Sequence, residues 1–214
     1  MKAVAALTIL ATGLLPGIAA AEALTFGGGV SVTTNALSDG LSDTANGPAI
    51  QPFFEIGKNG VYAGVWASNL KDANDNRAEL DLYGGYRGET AAGLTYDLGY
   101  TQQFYDKTHD LAAELAVSMG VPVTEQLTVT GEVSYDLAEK TFGQNIGAEY
   151  TPADAWTLHA AVGRTDPAAG VNWGAGVTYA LDDRTGLDLQ FQKTATTKAL
   201  VALTMTYAFG DAAK

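Results

Sequence analysis

The stretch from Gly60 to Tyr105 decides the fold: GVYAGVWASNL (60–70), an acidic-polar gap KDANDNRA (71–78), ELDLYGGYRGE (79–89), then GLTYDLGYTQQFY (93–105). In its last segment Leu94, Tyr96, Leu98, Tyr100 and Phe104 share one parity, while Gly93, Thr95, Asp97, Gly99, Thr101 and Gln103 share the other. Successive side chains point to opposite faces only in a strand, so this is one apolar and one wet sheet face. The preceding segment repeats the pattern, with Leu80, Leu82 and Tyr86 against Glu79, Asp81, Tyr83 and Arg87. Between Val61 and Ser68, Val61, Ala63, Val65 and Ala67 are placed outward and Tyr62, Gly64, Trp66 and Ser68 inward, with an outward Trp66 as the alternative.

The same period extends in both directions. Upstream, Leu24, Phe26, Val30 and Val32 form one face, and Ile50, Pro52, Phe54 and Ile56 oppose Gln51, Phe53 and Glu55. Lys58-Asn59-Gly60 is a tight hairpin signal. Downstream, Leu115, Val117 and Met119 oppose Glu114 and Ser118, and Val129, Val133 and Tyr135 oppose Thr130, Glu132 and Ser134. Ile146, Ala148 and Tyr150 then oppose Asn145 and Glu149; Trp156, Leu158 and Val162 oppose Thr157 and His159; Leu187, Leu189 and Phe191 oppose Asp188 and Gln190. About twelve strands result, each near the length a tilted strand needs to cross a bilayer. The fold expected is all-β, a single up-and-down antiparallel transmembrane barrel.

The N-terminus bears on compartment. Met1-Lys2, an apolar run from Ala3 to Ile18 and the small residues Ala19-Ala20-Ala21 have the plan of a secretory signal peptide. Cleavage after Ala21 or after Ala23 fits equally well. The expected organisation is therefore a signal peptide at 1–21 and one barrel at 22–214, located in the bacterial outer membrane.

Composition narrows the partners. The 214 residues carry a net charge of -12 and a pI near 4.4, the wrong sign for phosphate contacts, so nucleic acid is excluded and cations are favoured. There is no cysteine, hence no disulfide framework or thiolate metal site. A mean hydropathy of +0.03 is too low for membrane helices but suits a barrel, in which only alternate residues meet lipid.

Which face is hidden follows from the aromatic and acidic residues. The apolar-phase rings Tyr86, Tyr150, Trp156, Tyr179, Tyr207 and Phe209 fall near one rim and Phe104, Tyr135, Phe142 and Trp173 near the other, as interfacial girdles do. The wet face carries Glu55, Glu79, Asp81, Asp97, Glu114, Glu132, Glu149 and Asp188, with His159 and, as its one mid-strand basic residue, Arg87. Eight unpaired acids in a dry core would each cost several kcal/mol. These ten residues are the expected pore lining, in a lumen holding water and cations, with inward glycines such as Gly64, Gly85, Gly147 and Gly176 leaving axial room. Strand glycines serve equally well for curvature or close approach.

The run GVYAGVWASNL, the acidic gap, ELDLYGGYRGE and LTYDLGYTQQFY, with Gly47-Pro48-Ala49-Ile50, resembles the TorF-type porins, exported bacterial proteins long catalogued as conserved hypotheticals. The resemblance covers nearly the whole mature chain. It implies an outer-membrane barrel with a channel role and carries over neither a substrate nor catalytic residues. Two departures stand out: the first loop has Asp39 where the family usually has arginine before the glycine, and the final aromatic Phe209 is followed by Gly210-Asp211-Ala212-Ala213-Lys214.

No catalytic residue, cofactor or metal site is expected. His109 and His159 are the only histidines, and a lone lumen histidine is more often a lining group than a base. The run Asp72-Ala73-Asn74-Asp75-Asn76 lacks the glycine and distal glutamate of an EF-hand loop. Two functions remain: a narrow porin passing small hydrophilic solutes with a cation preference, and a non-conducting structural or surface-interaction barrel. Contacts with outer-membrane lipid are expected in both, and homo-oligomerisation is left open.

Overall fold

The computed structural model describes residues 24–108, 111–164 and 170–211. The signal-peptide assignment at 1–21, its cleavage position and His109 lie outside the described residues.

The chain forms β1 (Thr25–Thr33), β2 (Leu37–Ser38), β3 (Leu41–Ser42), β4 (Ala49–Lys58), β5 (Val61–Asn69), β6 (Ala78–Glu89) and β7 (Thr95–Tyr105). It continues with β8 (Leu111–Pro122), β9 (Leu127–Asp136), β10 (Thr141–Ala153), β11 (Trp156–Arg164), β12 (Asn172–Ala180), β13 (Thr185–Thr194) and β14 (Leu200–Gly210). Strands β4 to β14 pair antiparallel with their chain neighbours, and β1 closes the ring by pairing with both β4 and β14. This is a closed twelve-strand antiparallel barrel of the outer-membrane type, as the alternation predicts. The two remaining strands, β2 and β3, form a small hairpin inside the β1–β4 connection.

Orientation follows from burial. Leu98, Leu189, Phe142, Ile146 and Val201 are exposed on the outer surface, whereas Glu79, Asp81, Gln103, Asp136 and Asp188 are buried. A globular core would reverse that order, since ionisable groups are almost never hidden without partners. Apolar side chains therefore face outward, and the polar parity faces the axis. Trp66 is on the inner face as expected, opposite Asp81 on the neighbouring strand.

The girdles are built as ring pairs. Trp156 and Tyr179 approach to 4.6 Å between centroids near the tight-turn end, with Tyr86 and Tyr96 at 6.1 Å. At the loop end Tyr135 meets Phe142 at 4.7 Å and Trp173 meets Phe191 at 5.1 Å. Such amphipathic rings suit the two levels where hydrocarbon gives way to headgroups.

Turn chemistry fixes register at one end. Asn59 and Gly60 have φ of 54° and 82°, the two left-handed residues of a type I′ hairpin. At the other end Pro52, which has no N–H to give, sits just before the β4–β5 ladder begins at Phe53 and Trp66. Beyond it the Asn69 side chain accepts from Ile50 N at 2.8 Å and donates to Pro48 O at 2.9 Å, stitching the two strands together.

Candidate functional site

The candidate site is the inner face of the barrel, narrowed by the first loop. Residues 34–48 turn inward. Asn35 Oδ1 accepts from Ser42 Oγ at 2.6 Å and Thr44 Oγ1 at 3.2 Å, and Asp43 N donates to Ala36 O at 2.9 Å, so the loop has its own internal frame. Its tip, Asp39-Gly40, has φ of 50° and 78°, again the two left-handed residues of a tight hairpin. Gly40 N donates to Gln192 Oε1 at 2.9 Å, and Asn172 Nδ2 donates to Asp39 Oδ1 at 3.4 Å. The tip is thus docked on the inner faces of β12 and β13. A Cβ at position 40 would lie 2.7 Å from the Lys193 carbonyl carbon and 2.8 Å from Thr194 N, so both the turn and the close approach require glycine.

The walls differ. Among the described residues the inward Phe, Tyr and Trp rings, Phe53, Tyr62, Trp66, Tyr83 and Tyr105, belong to β4–β7, whereas β12–β14 offer Gly174, Gly176, Ala202, Thr204 and Ala208 to the interior. The loop covers the small-residue wall, where Ala202 is 1% and Thr194 0% exposed. Several inward glycines do not leave axial room, contrary to the sequence expectation. A Cβ at Gly64 would meet Tyr83 Cζ at 2.3 Å, at Gly85 Tyr62 Oη at 2.6 Å, and at Gly176 His159 Cε1 at 2.4 Å. They are beds in which inward rings lie flat across the neighbouring strand.

The expected lining residues fall into groups. Near the tight-turn end Arg87 donates to Glu55 through Nη1 at 3.1 Å and Nη2 at 3.0 Å, and its Nε lies 3.2 Å from Asp97. Its guanidinium stacks 3.7 Å from the Tyr62 ring centre, and Tyr62 Oη donates to Asp97 at 2.7 Å. One arginine therefore serves two acids and one ring. On β11 and β13, His159 Nε2 and Asp188 Oδ1 are 2.7 Å apart, and Thr178 Oγ1 donates to the same oxygen at 2.8 Å. Glu149 is the cross-strand neighbour of His159.

Toward the loop end Glu79 and Asp81 project from β6, Glu114 from β8 and Glu132 from β9. None of the four makes a salt bridge with a described residue. Tyr105 Oη donates to Glu79 Oε1 at 3.3 Å. Missed by sequence reasoning are Asp136, 5% exposed at the end of β9, and the loop carboxylates Asp39 and Asp43. Asp39 and Asp43 sit in a connection whose inward course has no periodic signal. Burial, with Glu79 and Asp39 as like-charged neighbours, pushes the Asp43 carboxyl up to about 8.

No cluster of three or more acids and histidines among the described residues can hold a metal ion. The Asp72–Asn76 run satisfies itself: Asp72 Oδ1 accepts from Asn74 N at 2.9 Å and Asn76 N at 2.8 Å. Its outer edge is an ion-pair knot in which Arg77 and Lys107 hold the Asp75 carboxyl below the usual range.

Comparison with solved structures finds the same architecture. The chain is similar to the KdgM porin with a TM-score of 0.68 and 10% identity, over 86% of this chain and 99% of that one. It is similar to an outer membrane channel from Pseudomonas putida F1 (TM-score 0.52, 10% identity, 92% and 97% covered). The Acinetobacter baumannii outer membrane protein Omp33 is a third such structure (TM-score 0.51, 10% identity, 88% and 99% covered). At these identities the likeness is one of fold. No curated protein matches the sequence. The model of a family described as a bacterial protein of unknown function (Gcw_chp) matches residues 18–213, and the chain belongs to that family.

Proposed function

We propose that this protein is a narrow, water-filled outer-membrane channel through which small hydrophilic solutes diffuse, with a preference for cations. The observation that carries the reading is charge segregation on the inner face. Glu79, Asp81, Glu114, Glu132 and Asp136 line one wall, Asp39 approaches from the loop, and the mid-strand base Arg87 is already committed to Glu55 and Asp97. Fixed acids in a tube with low-dielectric walls focus a negative potential, which raises the local concentration of cations and repels anions. The likeness of Gly60–Tyr105 to TorF-type porins supports a channel, and the porin folds above supply its frame.

One KdgM structure is described as a complex with oligogalacturonate, a polyanion. The acid-rich wall here disfavours such a ligand, so the solute class assigned to this chain differs. No catalytic role is assigned to the His159–Asp188 pair, because Thr178 donates its hydroxyl to the aspartate and is not held by the imidazole.

The docked first loop favours one alternative, a barrel sealed at the loop end that acts as a structural element. Planar-bilayer recording in a potassium chloride gradient separates the two. The channel reading expects discrete conductance steps and a reversal potential on the cation side, reduced in the Glu79→Gln/Asp81→Asn/Glu114→Gln variant. Absence of steps supports the sealed barrel, and an unchanged reversal potential removes these acids from the filter.

A further inference from the structure

The inner face holds one organic cation of its own, and its surroundings provide a template. The Arg87 guanidinium is received by two carboxylates, Glu55 and Asp97, by the face of Tyr62, and by the Tyr62 hydroxyl that donates to Asp97. Charge, flat stacking and a second layer of hydrogen bonds together replace the water such a group gives up.

Toward the loop end of the same wall the same kinds of side chain gather, without a cation and with both carboxylates on one strand. Glu79 and Asp81 are the two carboxylates, two residues apart on β6. Tyr105 donates its hydroxyl to Glu79 at 3.3 Å, as Tyr62 does to Asp97. Trp66, cross-strand from Asp81, supplies the ring. Asp81 is 1% exposed, and its Oδ1 accepts no hydrogen bond from the described residues. An enclosed carboxylate oxygen without a donor is costly and calls for a positive partner.

A metal ion is the poorer partner. Among the described residues no three acids or histidines converge on a metal-binding geometry, and hard divalent ions need several oxygens around one point. Aromatic faces favour weakly hydrated organic cations instead.

We propose that Glu79, Asp81, Tyr105 and Trp66 form a binding site for a small organic cation bearing a guanidinium or primary ammonium group. The site rests on the reading of the lumen as aqueous and names the solute class within it. Its occupant takes the position relative to Asp81 that Arg87 takes relative to Glu55.

The test uses the full barrel refolded in detergent, with Trp156→Phe and Trp173→Phe leaving Trp66 as the single indole. Agmatine is the probe, and sodium chloride of equal ionic strength is the control. Folded protein is selected by its heat-modifiable gel mobility. The expected result is a saturable change in Trp66 emission with agmatine alone, and a half-saturation raised at least tenfold by Asp81→Asn and by Glu79→Gln. Equal responses to agmatine and sodium, or unchanged half-saturation in whichever of the two variants folds, overturn the site. Because this binding is read without current, a barrel that binds but does not conduct defeats only the channel reading. One that conducts but does not bind defeats only this site.

Discussion

Arg87 and Asp81 lie on the same face of one strand, six residues and therefore roughly 20 Å apart, yet they belong to opposite electrostatic regimes. At the turn end charge is partly compensated within the protein, because Arg87 bridges β4, β6 and β7 and ties three strands together. At the loop end acids from β6, β8, β9 and the inward hairpin confront one another, and Glu79, Asp81, Glu114 and Glu132 make no salt bridge with a described residue. One half of the lumen is thus built for cohesion. The other half gathers like charge instead.

The strongest way to break that contrast is Arg87→Ala. It leaves Glu55 and Asp97 facing each other without a cation, and since all three side chains are 26–33% exposed the loss is about 1–3 kcal/mol rather than that of a dry pair. Urea unfolding in lipid vesicles should show that drop, while Asp81→Asn leaves the midpoint unchanged or raises it. Equal losses in the two variants would mean that both halves are held together in the same way.

Next in size is Gly40→Ala. A side chain at φ of 78°, against the Lys193–Thr194 backbone, weakens loop docking by about 1–3 kcal/mol. Hydrogen exchange of the Leu37–Ser42 amides should accelerate by roughly ten- to a hundredfold, with the barrel strands unaffected. Slow exchange retained in the variant would show that the tip does not depend on that contact.

The last effect concerns pH and is read in a narrow window. Asp43 titrates near 8 with the loop docked, against 3.8 when free. Docking is therefore strongest below about pH 4, weakens as pH rises toward 8, and is level above. Between pH 6 and 8 loop exchange should rise beyond its ordinary base-catalysed increase. Asp43→Asn should abolish the excess, and a persistent excess would assign the titration to Glu79 or Asp39, the like charges nearby.

The barrel was legible in the sequence because a period of two records, residue by residue, which side meets lipid. Glu132 and Leu189 declare their faces without reference to neighbours. Trp66 was the exception: parity left both faces open to it, and its place opposite Asp81 on the inner face is set by the β5–β6 register. What parity cannot record is who lies beside whom. That Tyr83 rests on Gly64, or that Arg87 reaches Glu55 two strands away, depends on register between strands. The inward course of the first loop was hidden for a related reason: it is set by the hairpin at Asp39-Gly40 and by its seat on Gln192, some 150 residues downstream in the chain.

The seam between β1 and β14 has a consequence for biogenesis. Val30 pairs with Tyr207, and Asp211 Oδ2 accepts the backbone N–H of Phe26 at 2.9 Å, so the ring cannot shut until β14 and Asp211 have been delivered. Until then a long strand edge and a greasy outer surface stay open to wrong partners. Asp211→Ala should accordingly slow closure of the ring more than it weakens the finished barrel.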